Sequence, residues 1–270
     1  MNMLKKRLIF TLLHDNGSFM LSRNFRLQRV GDLNWLYKNY DFRKISRCID
    51  EVVVLDVTRK DRSIESFSRV LGEFTAGIFC PVSAGGGITS VSDAKLLLRS
   101  GADKVVLNTS LTENTKLVFE IAQEFGAQCI IGAIDLDNQP DGTAVVTTRN
   151  GSMPIHGEDA SAVVSRICDL PIGEIYLNSV ERDGTGQGYR FELLDLVPTS
   201  CNLPIIMAGG VGFASHLIAG LEEIRIDAVA TAHLFNFVGD GLKNARDEVS
   251  KRGIPLPEWD YDSLRDGQEH

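Results

Sequence analysis

The chain has 270 residues, 43% hydrophobic and 24% charged, with a net charge of −8, which fits one large domain of ordinary composition. That negative balance argues against a nucleic-acid or anionic-membrane partner, since both need a basic face, though local basic spots remain open to a phosphorylated metabolite. The five cysteines (Cys48, Cys80, Cys129, Cys168, Cys201) are odd in number and lack Cys-x-x-Cys spacing, so they read as reduced thiols of a cytoplasmic protein rather than a disulfide frame or zinc site.

Short apolar, β-branched runs alternate with segments of helical period, the pattern of βα units around a parallel sheet. The chain opens on Lys5-Lys6-Arg7 before Leu8 to Leu13, which mimics a signal peptide. The apolar run is too short for one, no small-residue cleavage site follows, and a first strand over 7–13 is the better reading. No segment is long enough to span a bilayer. Asp15 to Asp32 reads as a long polar loop carrying Arg23, Arg26 and Arg29. These are either solvated charges or a clamp for a diphosphate. Further strands are expected near 51–57, 79–84, 103–108, 129–135, 174–179, 203–208 and 227–231, with amphipathic stretches such as Ser92–Ser100, Thr115–Phe125 and Asp159–Cys168 between them. Within Asn138 to Ile155, Asp141-Gly142 and Asn150-Gly151 flank the strand-like Ala144–Thr148 and predict an inserted hairpin.

The chain also nearly repeats itself. Glu51-Val52-Val53-Val54-Leu55 returns at Glu174-Ile175-Tyr176-Leu177, 123 positions on, and Ala84-Gly85-Gly86-Gly87 at Ala208-Gly209-Gly210-Val211, 124 on. Eight units with a half-chain repeat predict a (β/α)8 TIM barrel over 1–253, built of half-barrels of about 1–125 and 126–253, with a loosely held polar tail over 254–270. A doubly wound sheet is the alternative, but it requires neither eight units nor this symmetry.

The repeat also locates a candidate site. Each glycine turn follows a strand and opens a helix, so its backbone amides can approach an anion beside a helix N-terminus. Gly86 and Gly87 pair with Asn108 and Thr109 at the next strand end; Gly209 and Gly210 pair with Ala232 and His233. Two such sites suit a phosphorylated ligand lying across the barrel mouth. Tight turns also need glycine, which is the bland reading. Asp135 ends the fifth strand, as a turn cap or as a functional carboxylate. At the matching point of the first strand stands Leu13. Asp183 and Gly184 occupy a loop after the sixth strand, where they hold the loop or touch ligand. His233 is a phosphate-binding cation, a proton donor or a packed polar residue. His14 has the strand parity that points away from the mouth.

Arg7-Leu8-Ile9, Asp50-Glu51 to Asp56-Val57, Gly85-Gly86-Gly87-Ile88, Gly101 to Val105, Ala133-Ile134-Asp135 and Asn178 to Thr185 together make the chain resemble the cyclase subunit of imidazole glycerol phosphate synthase, up to about Arg252. The resemblance implies a (β/α)8 barrel that accepts ammonia from a glutaminase docked below it, in a heterodimer, with no cofactor or metal. It also implies a doubly phosphorylated ribonucleotide at the mouth and two acid/base aspartates at the ends of strands one and five. Asp135 matches one of these aspartates, and Leu13 stands where the other belongs. A family lysine falls on Leu21, a serine on Ala208, another serine on His233 and a threonine on Asn178. At the barrel floor the family's ammonia gate of four charges is matched by Arg7, Glu51, Lys104 and Glu174. On residues alone these four are either a neutralised inward ring or solvated charges at strand entrances. Asp103 matches a position at the glutaminase interface.

Leucine cannot transfer a proton, a contribution typically worth about 10²–10⁴-fold in rate. The expectation is therefore a paralogue that conducts ammonia while its mouth chemistry has changed. It would serve amidination of a nucleotide sugar on a third, synthetase-type protein in a bacterial O-antigen or lipopolysaccharide pathway. The alternatives are a genuine cyclase of histidine biosynthesis, with His14, His233 or water replacing the aspartate, and a non-catalytic activator of the glutaminase. The related barrel that isomerises the preceding pathway intermediate is disfavoured by Leu13 as well.

Overall fold

The computed structural model describes residues 5–40, 45, 47–139, 141–233 and 240–258. Its strands are β1 (Arg7–Asp15), β2 (Ser18–Arg23), β3 (Arg26–Gly31), β4 (Glu51–Asp56), β5 (Val82–Gly85), β6 (Lys104–Leu107), β7 (Ile130–Asn138), β8 (Ala144–Thr148), β9 (Met153–Pro154), β10 (Glu174–Ser179), β11 (Ile205–Ala208) and β12 (Ala228–Thr231). Eight of them (β1, β4, β5, β6, β7, β10, β11 and β12) pair in parallel in that order. β12 pairs again with β1, which closes a (β/α)8 barrel. Closure leaves no free edge, so β-branched runs on both faces of the sheet can be buried.

Alternation along the strands divides the core. One face of each strand packs outward against the helices, as Phe10, Leu12, Val52 and Val54 do in the large cluster. The other face fills the barrel, where Ile9, Val53, Val106, Ile131, Tyr176 and Ile206 form a second cluster. Helices cover the barrel through amphipathic faces and capped ends. Ser90 caps the helix Val91–Arg99 in a reciprocal capping box with Asp93, and Asn114 caps Thr115–Phe125. No helix among the described residues is long and apolar enough to cross a membrane.

Acidic residues ahead of three strands stitch the sheet from below. Asp50 accepts the Leu8 N–H at 2.8 Å, Asp103 the Val82 N–H at 2.8 Å and Asp227 the Ile205 N–H at 2.9 Å. Each satisfies a backbone donor at a strand entrance that would otherwise be unpaired.

Three expectations need correction. Asp15–Asp32 is not a plain loop: β1 runs on to Asp15 and turns into β2 and β3, a hairpin paired antiparallel along it. The inserted hairpin expected after the fifth strand is present, with Ala144–Thr148 as β8, and only the extent of the strand before it is corrected, because β7 runs on to Asn138. The start of the tail is held: Pro255 accepts the Lys6 N–H, Arg246 bonds the Pro257 carbonyl and Leu256 is buried. The rest of that tail, 259–270, lies outside the described residues.

Candidate functional site

A cavity of about 750 Å³ opens at the carboxyl ends of the barrel strands. Both glycine turns reach it. A Cβ on Gly86, at φ +109°, would lie 2.1 Å from the Asp56 carbonyl oxygen; one on Gly210, at φ +101°, would lie 2.1 Å from that of Gly188. Only glycine permits that backbone and that closeness. The cavity gathers Gly86, Gly87, Asn108 and Thr109 on one side. Opposite them stand Asn178, Asp183, Gly184, Gly209, Gly210, Ala232 and His233, with Asp135 among its lining residues.

Asp135 is held by two amides. Asn178, its register neighbour on β10, donates to one carboxylate oxygen at 2.9 Å, and Asn108 donates to the other at 3.1 Å. Burial nevertheless pushes its carboxyl up to about 6, with Asp183 adding to the rise and the amides opposing it. A carboxyl near neutrality can both take and give a proton at physiological pH. Asp183 is raised too, chiefly by burial, while Ser22 (2.5 Å), the Phe25 N–H (3.1 Å) and nearby His233 favour its charged form. His233 is lowered by burial, partly offset by Asp183.

Leu13 points into this cavity from β1, side by side in register with Leu55 of β4. His14, one residue on, faces the opposite way and is buried. Its Nε2 accepts the Gly17 N–H at 2.9 Å, leaving the ring proton on Nδ1, 3.2 Å from Asp56 Oδ1. That histidine is fixed outside the mouth and cannot stand in for a carboxylate there.

The β2–β3 hairpin roofs the cavity. Besides the two bonds to the Asp183 carboxylate, the Asn24 N–H donates to the Asp183 carbonyl at 2.9 Å and its amide to Val180 and Glu181. Sequence reasoning offered Arg23, Arg26 and Arg29 as a clamp. All three are exposed and absent from the lining, whereas Leu21, Phe25 and Leu27 face the cavity. Neighbouring strand residues alternate sides, so Leu27 turns inward beside an outward Arg26. Among the described residues the arginines that line the mouth are Arg59, Arg62 and Arg149, from the loop after β4 and from the inserted hairpin. Only their closeness in three dimensions identifies them.

At the opposite end of the barrel the four predicted charges meet. Arg7 lies 3.1 Å from Glu51 and 2.5 Å from Glu174, and Lys104 lies 3.5 Å from Glu51 and 2.5 Å from Glu174. Ser83 also donates to Glu51. Cations and anions alternate, so each partly buried charge has two opposite neighbours. Burial alone would raise Glu174, but Arg7 and Lys104 hold it below its ordinary value. Asp103, beside Lys104, spends its carboxylate on the Val82 amide.

A closed parallel barrel with its candidate site at the carboxyl ends of its strands defines the class: a (β/α)8 barrel. Residues 36–239 match a family model described as histidine biosynthesis protein. A protein of Parasynechococcus marenigrum (strain WH8102), provisionally named imidazole glycerol phosphate synthase subunit hisF2, is 43% identical over 258 residues, covering 95% of each chain. The imidazole glycerol phosphate synthase subunit HisF of Lactococcus lactis subsp. cremoris (strain SK11) is 34% identical over 254 residues, covering 94% of this chain and 96% of its own. The chain belongs to the HisF family of imidazole glycerol phosphate synthase subunits.

Proposed function

We propose that this chain is a HisF-type subunit that receives ammonia from a HisH-like glutaminase through the barrel, and that its mouth no longer performs ordinary cyclisation. The observation that carries the reading is the contrast between the two ends. The floor holds a closed ring of Arg7, Glu51, Lys104 and Glu174, while the mouth presents Leu13 where a second proton-transfer group would have to stand. Between them the barrel interior is packed mainly with apolar side chains, Ile9, Val53, Val106 and alanines of β11 and β12, with the Thr11–Tyr176 hydroxyl pair at 3.0 Å among them, surroundings that oppose an ion more than a small neutral molecule. Phe79 and Ile224, 70% and 89% exposed in loops that enter β5 and β12 from below, offer apolar anchors for a partner on that face. The ammonia then serves amidination of a nucleotide sugar on a synthetase-type protein in a polysaccharide pathway of the cytoplasm.

Mixing the chain with its cognate glutaminase should raise glutamine hydrolysis, and Lys104→Ala should separate that hydrolysis from ammonia use at the mouth. Absence of any complex with a glutaminase ends the proposal. One observation favours a second reading, a working cyclase: Asp135 near neutrality is itself a competent acid or base. Supplying the ribonucleotide substrate with ammonium salt at high pH decides between them, since brisk turnover by the chain alone supports the cyclase.

A further inference from the structure

The cavity at the mouth has two unlike walls, and their difference bears on what can fill it. Along β1, β4 and the roof hairpin, Leu13, Leu21, Leu27 and Leu55 line it together with Phe25, alongside Thr11, Ser22 and Asp56, which are already hydrogen-bonded to Tyr176, Asp183 and Thr58. The leucines and Phe25 offer no donor or acceptor. A hydroxyl or ammonium pressed against them would give up its water and gain no partner. The opposite wall, with Asp135 and Asn178, is polar, and those two groups are already bonded to each other at 2.9 Å.

A cation stands at one end. A Cβ on Gly87 would fall 2.3 Å from Arg62 Cδ and 2.9 Å from its Nη1, so this guanidinium lies directly over the first glycine turn, in space a side chain would otherwise take. Asp56 holds it there, its Oδ2 being 3.3 Å from Arg62 Nε. Asp56 is in turn fixed by Thr58 at 2.7 Å and by His14. The other two arginines of the lining are engaged elsewhere: Arg149 with Glu113 at 2.6 Å, and Arg59 with the Phe25 carbonyl at 2.8 Å. Asn108 and Thr109 complete the lining beside the turn.

We propose that the mouth binds a phosphate monoester with an apolar body, the phosphate at the Gly86–Gly87 turn under Arg62 and the body against the leucine wall. Aryl and prenyl phosphates have this chemistry; sugar phosphates, with hydroxyls on every side, do not. The proposal concerns the chain alone and needs no glutaminase, so its failure leaves the ammonia-transfer reading untouched, and failure of that reading leaves this one standing.

Isothermal titration calorimetry on the purified chain tests it with phenyl phosphate, dimethylallyl phosphate, ribose 5-phosphate and inorganic phosphate. At least one apolar monoester is expected to bind roughly tenfold or more tightly than ribose 5-phosphate, the scale on which hydrophobic pockets discriminate. Preference for phenyl or dimethylallyl phosphate distinguishes an aryl from a prenyl ligand. Arg62→Ala should weaken every ester, while Leu21→Ser, at a half-buried position on the roof, should narrow the preference and spare inorganic phosphate. Circular dichroism establishes that both variants are folded. Ribose 5-phosphate binding as tightly as the apolar esters, or esters binding no better than inorganic phosphate, overturns the proposal. So does ester binding indifferent to Arg62→Ala in a folded variant.

Discussion

Replacing Asp135 by asparagine should change how stability responds to pH in a direction the cavity dictates. Burial holds this carboxyl at about 6 against an ordinary 3.8. In the unfolded chain it ionises near 4, so between about pH 4 and pH 6 the folded protein keeps a proton that the unfolded chain has released. The stability drawn from that proton is fully present below the unfolded value and is lost as pH rises through about 6. At about 1.4 kcal/mol per pH unit the full difference would be about 3 kcal/mol. Contact of the side chain with the open cavity screens part of it, leaving about 1–2 kcal/mol. Urea unfolding of both proteins from pH 4 to pH 8 measures this. The variant should gain about 1–2 kcal/mol on the parent across the window, whatever constant offset comes from its altered contacts with Asn108 and Asn178. Parallel curves, or a parent that gains on the variant as pH rises, would refute the assignment of a raised carboxyl.

Three further outcomes are expected. His14→Ala deletes both bonds of a buried ring and should cost about 2–4 kcal/mol in chemical unfolding, the sum of a lost hydrogen-bond pair and a partly collapsed cavity. Gly184→Ala places a Cβ 1.9 Å from the Ser22 carbonyl oxygen, so the roof hairpin must lift, and limited proteolysis between residues 15 and 32 should accelerate several-fold. Leu13→Asp introduces a second carboxylate into the same cavity as Asp135, and NMR titration should find Asp135 raised further by the like charge.

The barrel was legible because its strands are short β-branched runs at regular spacing, and the repeat then supplied the number of units. Inward and outward faces followed from strand parity, which already set His14 apart from Leu13 and Asp135. The roof was not legible. Arg23, Arg26 and Arg29 give 15–32 the composition of a loop and masked the Asn16-Gly17 turn between β1 and β2; what no local pattern reports is the fastening of the hairpin to Asp183, over 150 positions away. For the same reason Arg62 escaped notice: its importance lies in the space that Gly87 leaves open. Asp103 was matched to the glutaminase interface through resemblance alone, and that its carboxylate also accepts the Val82 N–H at the entrance of a neighbouring strand is visible only in the fold.

The Asp183 staple has a consequence for how the molecule comes apart. The internal repeat suggests two equivalent modules, yet the hairpin of the first half is fastened to the loop after β10 in the second, through Ser22, Asn24 and Phe25. A cut between the halves would separate the roof from its anchor as well as opening two seams of the sheet. Symmetry in the sequence is therefore no guide to autonomy. Each half inherits the same outline, but the enclosed mouth belongs to neither, because it is closed only where Ser22 and Phe25 of the first half meet Asp183 of the second.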